Sequence, residues 1–136
     1  MAEKGFLTVG VVGAAGRMGL EIARAANERG DIHIGAALER GDSPHLGRDI
    51  GELAGVEKAD VTIGANSDHF FVNIDVAIDL STKDAVESVV NGAVKHKIPL
   101  VCGTTGIDPS GLESLKNAAE QIPVLYTPNL SLGIAV

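Results

Sequence analysis

Gly13, Gly16 and Gly19 stand at intervals of three, directly after the apolar run Val9, Gly10, Val11 and Val12. A helix-compatible stretch follows at once, with Leu20, Ile22, Ala23, Ala25 and Ala26. A strand, a glycine turn and a helix together present backbone N–H groups and a positive helix end, which is the chemistry of phosphate binding. In that reading Gly13 permits the tight turn, Gly16 lets the backbone approach a pyrophosphate, and Gly19 allows close helix–strand packing. The spacing is G-x-x-G-x-x-G rather than the commoner G-x-G-x-x-G, so a purely structural glycine turn stands beside it as the alternative.

Glu39 lies 20 residues beyond Gly19, at the end of a second apolar run. A carboxylate there accepts hydrogen bonds from the hydroxyls of an adenosine ribose. An acid repels a ribose 2′-phosphate, whereas the adjacent Arg40 can pair with one. Together they suggest a dinucleotide site tolerant of either NADH or NADPH. Arg17 and Met18 open the helix after the glycine turn. Arg17 either lies over the pyrophosphate or is solvated, and Met18 packs on the cofactor or in the core. Gly103, Thr104, Thr105 and Gly106 offer two hydroxyls and free amides where a nicotinamide or a substrate carboxylate would lie. Cys102 reads as a small buried hydrophobe rather than a nucleophile.

These residues need a scaffold that brings them to one edge. Apolar runs with little alternation predict strands over 7–13, 32–38, 61–63, 76–80, 99–102 and 124–126. Helical spacing predicts helices over 20–26, closing at Gly30, over 86–94 behind an S-x-x-D capping box of Ser81 and Asp84, and after the Asp108-Pro109 start. Leu112, Leu115, Ala119 and Ile122 would form the inner face of the last helix. Residues 41–59 read as an irregular surface segment with a helical turn around 49–54, and 67–73 as ambiguous. Strands alternating with helices imply an α/β protein: a Rossmann-like, doubly wound, mainly parallel sheet with helices on both faces, in one domain over 1–136. Ligands bind such sheets beyond the carboxyl ends of the strands, so the loops at 13–19, 39–41, 80–82, 103–106 and 127–131 should converge.

Composition excludes several classes. The chain has 136 residues and a net charge of −7 with no basic run, which argues against a nucleic-acid partner. A single cysteine rules out an internal disulfide. No long apolar run or signal-peptide pattern appears, so a soluble cytoplasmic protein with no membrane partner is expected. The four histidines share no ligand spacing, and no metal site is expected.

The motifs in order resemble one family, the N-terminal domain of 4-hydroxy-tetrahydrodipicolinate (dihydrodipicolinate) reductase. They are Val12-Gly13-Ala14-Ala15-Gly16-Arg17-Met18-Gly19, Gly35-Ala36-Ala37-Leu38-Glu39-Arg40, Asp49-Ile50-Gly51-Glu52-Leu53-Ala54-Gly55, Val76-Ala77-Ile78-Asp79-Leu80-Ser81, Gly103-Thr104-Thr105-Gly106 and Asn129-Leu130-Ser131-Leu132-Gly133. The resemblance implies an NAD(P)H-dependent oxidoreductase of lysine and diaminopimelate biosynthesis, usually a homotetramer, that passes a hydride to a cyclic unsaturated dicarboxylate. It places Gly13, Ala14, Ala15, Gly16, Arg17 and Met18 on the pyrophosphate, Glu39 on the adenosine ribose and Arg40 on a 2′-phosphate. Gly103, Thr104 and Thr105 would meet the nicotinamide end beside Thr127, Pro128, Asn129 and Leu130, and Thr105 would also face substrate.

Two departures qualify this. Where the family often reads Phe-Thr-Arg-Pro, this chain reads Leu80-Ser81-Thr82-Lys83. The family's H-H-x-x-K-x-D-A-P-S-G-T type motif, which carries the proton-donating histidine and lysine, does not occur, nor do the elements that complete the nucleotide domain. This chain is therefore expected to contain no catalytic residue, to bind cofactor without turnover, and to leave a sheet edge or apolar face open to self-association. A free-standing nucleotide-binding or sensing module without catalysis, and an NAD- or CoA-binding domain of a different enzyme, are the alternatives.

Overall fold

A computed structural model describes residues 5–128. Six parallel strands form one sheet in the order β3-β2-β1-β4-β5-β6. They are β1 (Leu7–Val12), β2 (Ile32–Leu38), β3 (Ile63–Gly64), β4 (Val76–Asp79), β5 (Leu100–Cys102) and β6 (Val124–Tyr126). The helices are α1 (Arg17–Glu28), α2 (Ile50–Leu53), α3 (Ser67–Phe70), α4 (Val86–His96) and α5 (Pro109–Ala118). The expected doubly wound α/β architecture is therefore the observed one. The chain winds outward from β1 through β2 to β3, then returns to β4 on the other side of β1. That reversal puts the ends of β1 and β4 side by side at the switch point where such sheets bind ligands.

The pleat divides the core in two. Val9 and Val11 of β1 pack with Ala23 of α1, with Ile50 of α2 and with Ile63. Val12, one residue on, faces the opposite side with Phe70, Phe71, Val86, Val89, Leu100 and Leu115, under α3, α4 and α5. Small residues bring α1 close to the sheet: Gly19, Ala23 and Ala26 are its buried positions.

Coverage of the two faces is unequal. Among the described residues only α1 and α2 lie on the Val9 face, so its β4-β5-β6 half stays open. Leu125 is 59% exposed there, and Ile22, Val76, Ile78 and Val101 line a largely apolar groove of about 270 Å³. Among the described residues, then, an apolar face is left uncovered.

Several local expectations shift. Gly30 is not the cap of α1; Arg29 holds that place in extended backbone. The inner face of α5 is Gly111, Leu115 and Ala118, continued by Ile122, while Leu112 is 42% exposed and Ala119 is exposed. The third strand begins at Ile63, because Thr62 pairs with Asp49 in an antiparallel bridge.

The surface segment between β2 and β3 is organised by one carboxylate. Asp49 caps α2 and accepts hydrogen bonds from the N–H groups of Glu52 (3.1 Å), Ala59 (2.8 Å) and Val61 (2.9 Å). Burial alone would raise its carboxyl pKa, but these bonds outweigh burial and hold it below the usual range. A lowered folded pKa contributes stability that is complete above the ordinary carboxylate value near pH 3.9 and is lost as pH falls through the folded value. Asp49→Ala is expected to cost about 2–3 kcal/mol at pH 7. Thermal melts of both proteins should show that difference shrinking below about pH 4; an equal difference at pH 3 and pH 7 would contradict this role.

Candidate functional site

The cleft at the switch point is assembled from three loops and one helix. The loop after β1 provides Gly13 and Gly16. The loop after β2 provides Glu39 and Arg40. The loop after β4 provides Leu80, Ser81 and Thr82, and α4 supplies Ser88 and Val89. The cleft measures about 310 Å³.

The glycines of the first loop have different jobs. Gly13 takes φ +79°, a left-handed conformation open mainly to glycine, and a β-carbon there would stand 2.6 Å from the Leu80 carbonyl oxygen. On Gly19 a β-carbon would fall on the Ala14 carbonyl oxygen and lie 2.6 Å from that of Gly13. Gly16 is different: among the described residues, beyond its chain neighbours, a β-carbon there would meet within 4 Å only the Gly13 carbonyl oxygen, at 3.3 Å, and it borders the cleft. The cradle that a side chain would fill is open in front of Gly16 alone.

The loop amides divide in the same way. Those of Gly13 and Ala14 both donate to the Leu38 carbonyl, at 2.9 and 3.2 Å. Ala14 is fully buried, which removes it from the side chains and amides able to reach a ligand. The Ala15 N–H donates to Glu39 Oε2 at 2.8 Å. Beyond it, α1 starts at Arg17 with a glycine cap, no side-chain cap bond and no acid in its first turn. Its first N–H groups therefore have no intrahelical acceptor, and the positive end of a 12-residue helix faces out beside Gly16. Arg17 is exposed and Met18 half-buried at this end.

Glu39 is thus tied to the glycine loop and stands on the cleft wall. Arg40 borders the cleft as well, and its Nη2 pairs with Asp42 Oδ2 at 3.2 Å, with both side chains about three-quarters exposed (74% and 73%).

The remaining predicted positions lie further along the same strand edge. Gly103 and Thr104 follow β5 but do not line this cleft. Thr104 is 2% exposed and donates its hydroxyl to the Asp79 carbonyl oxygen at 3.3 Å. Of the two threonine hydroxyls expected to be offered, only that of exposed Thr105 is free of such burial. Thr127 and Pro128, both half-buried, follow β6, with the Thr127 N–H bonded to the Cys102 carbonyl. Asn129 and Leu130 lie outside the described residues. Cys102 is fully buried. Burial is the main reason its thiol pKa is pushed up, and the nearby Asp79 charge adds to that against an opposing Thr104 N–H; the group is an inert thiol.

Ser81 departs from its expected part. It does not cap α4, which begins instead through a 3-10 turn, Lys83–Ala85, flanked by Thr82 without a side-chain cap bond. Its N–H and hydroxyl both go to Asp79 Oδ1, at 3.0 and 2.5 Å. A buried carboxylate is a stronger acceptor for a hydroxyl than a helix amide is a donor to it. Sequence reasoning did not single out Asp79, Ala85, Ser88 or Val89 for this site. The one signal was Asp79 itself, an acid closing an otherwise apolar run.

Among the described residues no group of three or more His, Cys, Asp or Glu side chains is placed to hold a metal ion. No helix there is long and apolar enough to cross a membrane.

Comparison with known proteins agrees with the fold and gives the family. Solved structures share the fold at low identity. A dihydrodipicolinate reductase from Paenisporosarcina sp. TG-14, with dipicolinate bound, is 24% identical with a TM-score of 0.65 over 85% of this chain and 43% of its own. A probable dehydrogenase from Thermotoga maritima is 18% identical, TM-score 0.69, over 88% of this chain and 35% of its own. An oxidoreductase from Agrobacterium radiobacter, in complex with NAD+, L-tartaric acid and magnesium, is 17% identical, TM-score 0.61, over 88% and 34%. The chain thus spans less than half the length of each. The family model for the N-terminus of dihydrodipicolinate reductase matches residues 7–130, nearly all of the sequence, and the chain belongs to that family.

Proposed function

We propose that this chain is the NAD(P)H-binding part of a 4-hydroxy-tetrahydrodipicolinate reductase, acting in lysine and diaminopimelate biosynthesis. The observation that carries the reading is the open cradle at Gly16, beside an uncapped helix N-terminus and opposite a carboxylate fixed at the end of β2. The residues suit the group. The amides opening α1 and the space before Gly16 would hold the pyrophosphate, with Arg17 beside it. Glu39, already oriented by Ala15, would accept from the adenosine ribose hydroxyls. The apolar wall of Leu38, Ala85 and Val89 gives an adenine ring a surface to lie on. Thr105, Thr127 and Pro128, farther along the same edge, would border the nicotinamide end.

The reduced nicotinamide supplies the hydride when bound. The chain's own residues bind and orient it; the groups that would protonate a cyclic unsaturated dicarboxylate are not among the motifs of this sequence. Substrate conversion and tetramer formation belong, on this reading, to the intact enzyme.

Fluorescence titration with NADH tests the binding reading directly. Saturable enhancement is expected, and no detectable binding at millimolar cofactor would end it. Glu39→Ala is expected to weaken NADH about tenfold, or ~1.4 kcal/mol. NADPH should lose less, because its 2′-phosphate gains from removal of the carboxylate while both cofactors share the loosened Ala15 amide. A larger loss for NADPH would place the ribose elsewhere.

A further inference from the structure

Asp79 ends β4 beside the reversal in strand order, and its side chain is only 1% exposed. Its two sheet neighbours are Val12 on β1 and Cys102 on β5. The carboxylate is used unevenly. Oδ1 accepts both the N–H and the hydroxyl of Ser81, while Oδ2 has no hydrogen-bond partner among the described residues. The main-chain carbonyl of the same residue accepts the Gly103 N–H at 2.9 Å and the Thr104 hydroxyl at 3.3 Å. Next in sequence, the Leu80 carbonyl is the atom that leaves no room for a side chain on Gly13.

Asp79 therefore sits where three loops meet: the glycine loop, the loop whose Ser81 and Thr82 wall the cleft, and the turn after β5. A buried carboxylate with one oxygen unbonded is costly to a fold. Burial is also the largest influence on its ionisation, pushing the carboxyl pKa up against the opposing bonds from Ser81. In a strand otherwise made of Val76, Ala77 and Ile78, packing alone does not call for an acid.

We propose that Asp79 is a positioning residue of the cleft. Its carboxylate holds Ser81, and with it the cleft wall over residues 80–82, in register with the glycine loop and the Gly103 turn. The hydroxyl bond is the specific part, since it fixes a side chain as well as a backbone. The binding readout below rests on the cofactor reading given above; the exchange readout does not.

The test uses the whole chain and four variants: Asp79→Ala, Asp79→Asn, Ser81→Ala and the Asp79→Ala/Ser81→Ala double. Amide hydrogen exchange at residues 81 and 82 and NADH titration are measured on the same samples. Asp79→Ala should speed exchange at Ser81 and weaken NADH, each about tenfold. Asp79→Asn keeps an oxygen that accepts from Ser81 and should stay within about threefold of the parent on both. The double variant should be no weaker than Asp79→Ala alone, because the two residues act as one unit. Parent-like exchange at Ser81 in Asp79→Ala overturns the proposal, as does an Asn variant as impaired as the Ala variant, or additive losses in the double. Where Asp79→Ala does not fold, Ser81→Ala decides: faster exchange at the residue 81 amide, which donates to Asp79 Oδ1, with parent-like melting supports the proposal, and unchanged exchange overturns it. If the parent itself binds no NADH, the cofactor reading fails and exchange at Ser81 alone decides this one.

Discussion

Gly16→Val is expected to abolish cofactor binding while leaving the fold in place. Gly16 has φ −76° and ψ 172°, extended backbone that valine adopts readily. The nearest atom to a β-carbon there is the Gly13 carbonyl oxygen at 3.3 Å, so the neighbour need give only slightly. The isopropyl group would instead project into the cleft in front of α1, where a phosphate has to approach the backbone. NADH affinity should fall at least 100-fold, about 2.7 kcal/mol, while the melting temperature stays within a few degrees of the parent. Retained affinity in a folded variant would remove the pyrophosphate from this loop. A variant that does not fold would show that the loop lacks the space described for it.

Gly19→Ala is expected to act in the opposite way, on stability first. By helix propensity alone the change would stabilise α1 by about 1 kcal/mol. The new methyl group would, however, meet the backbone oxygens of Gly13 and Ala14, which cannot rotate aside as a flexible side chain can. Either α1 moves away from the sheet or the glycine loop opens. Overpacking of this kind costs roughly 1–3 kcal/mol and more where backbone must shift, so a net loss of about 2–3 kcal/mol and a fall in melting temperature of roughly 6–12 °C is expected. NADH binding should weaken as well, because Gly13 and Ala14 belong to the displaced turn. A variant that melts higher than the parent would mean the propensity gain wins and the close approach is relaxed at no cost. Taken with Gly16→Val, the pair separates the glycine that leaves room for a ligand from one that leaves room for the fold.

Much of this architecture was legible locally. The uniform apolar runs of β1, β4 and β5 announce strands buried on both faces. Asp108-Pro109 announces the start of α5, where the Asp108 side chain accepts the Gly111 N–H at 2.9 Å. The helical turn expected near 49–54 is α2, and the ambiguous 67–73 stretch contains α3. Errors arose where two local patterns were nearly equal. On a 10-residue helix, the sets beginning at Gly111 and at Leu112 satisfy helical spacing about equally well. The choice fell to Gly111, whose missing side chain lets Ile107 pack against the helix. Ser81 read as a cap because the S-x-x-D spacing is a local signal, and nothing local shows that Asp79 is buried and in need of a donor.

By itself, then, the sequence determined the order and type of most of the elements, the family, and the two residues on which the proposed dinucleotide site rests, Gly16 and Glu39. Those follow from backbone conformation, apolar periodicity and charge at fixed separations along the chain. Only the tertiary structure decided which polar groups remain free to meet a ligand. The Ala15 amide is engaged by Glu39, 24 residues away, and the Thr104 hydroxyl by the Asp79 carbonyl, 25 residues away. Once the sheet brings such distant loops to one edge, their donors and acceptors satisfy one another first. What remains open, in front of Gly16, is set by that pairing rather than by the motif alone.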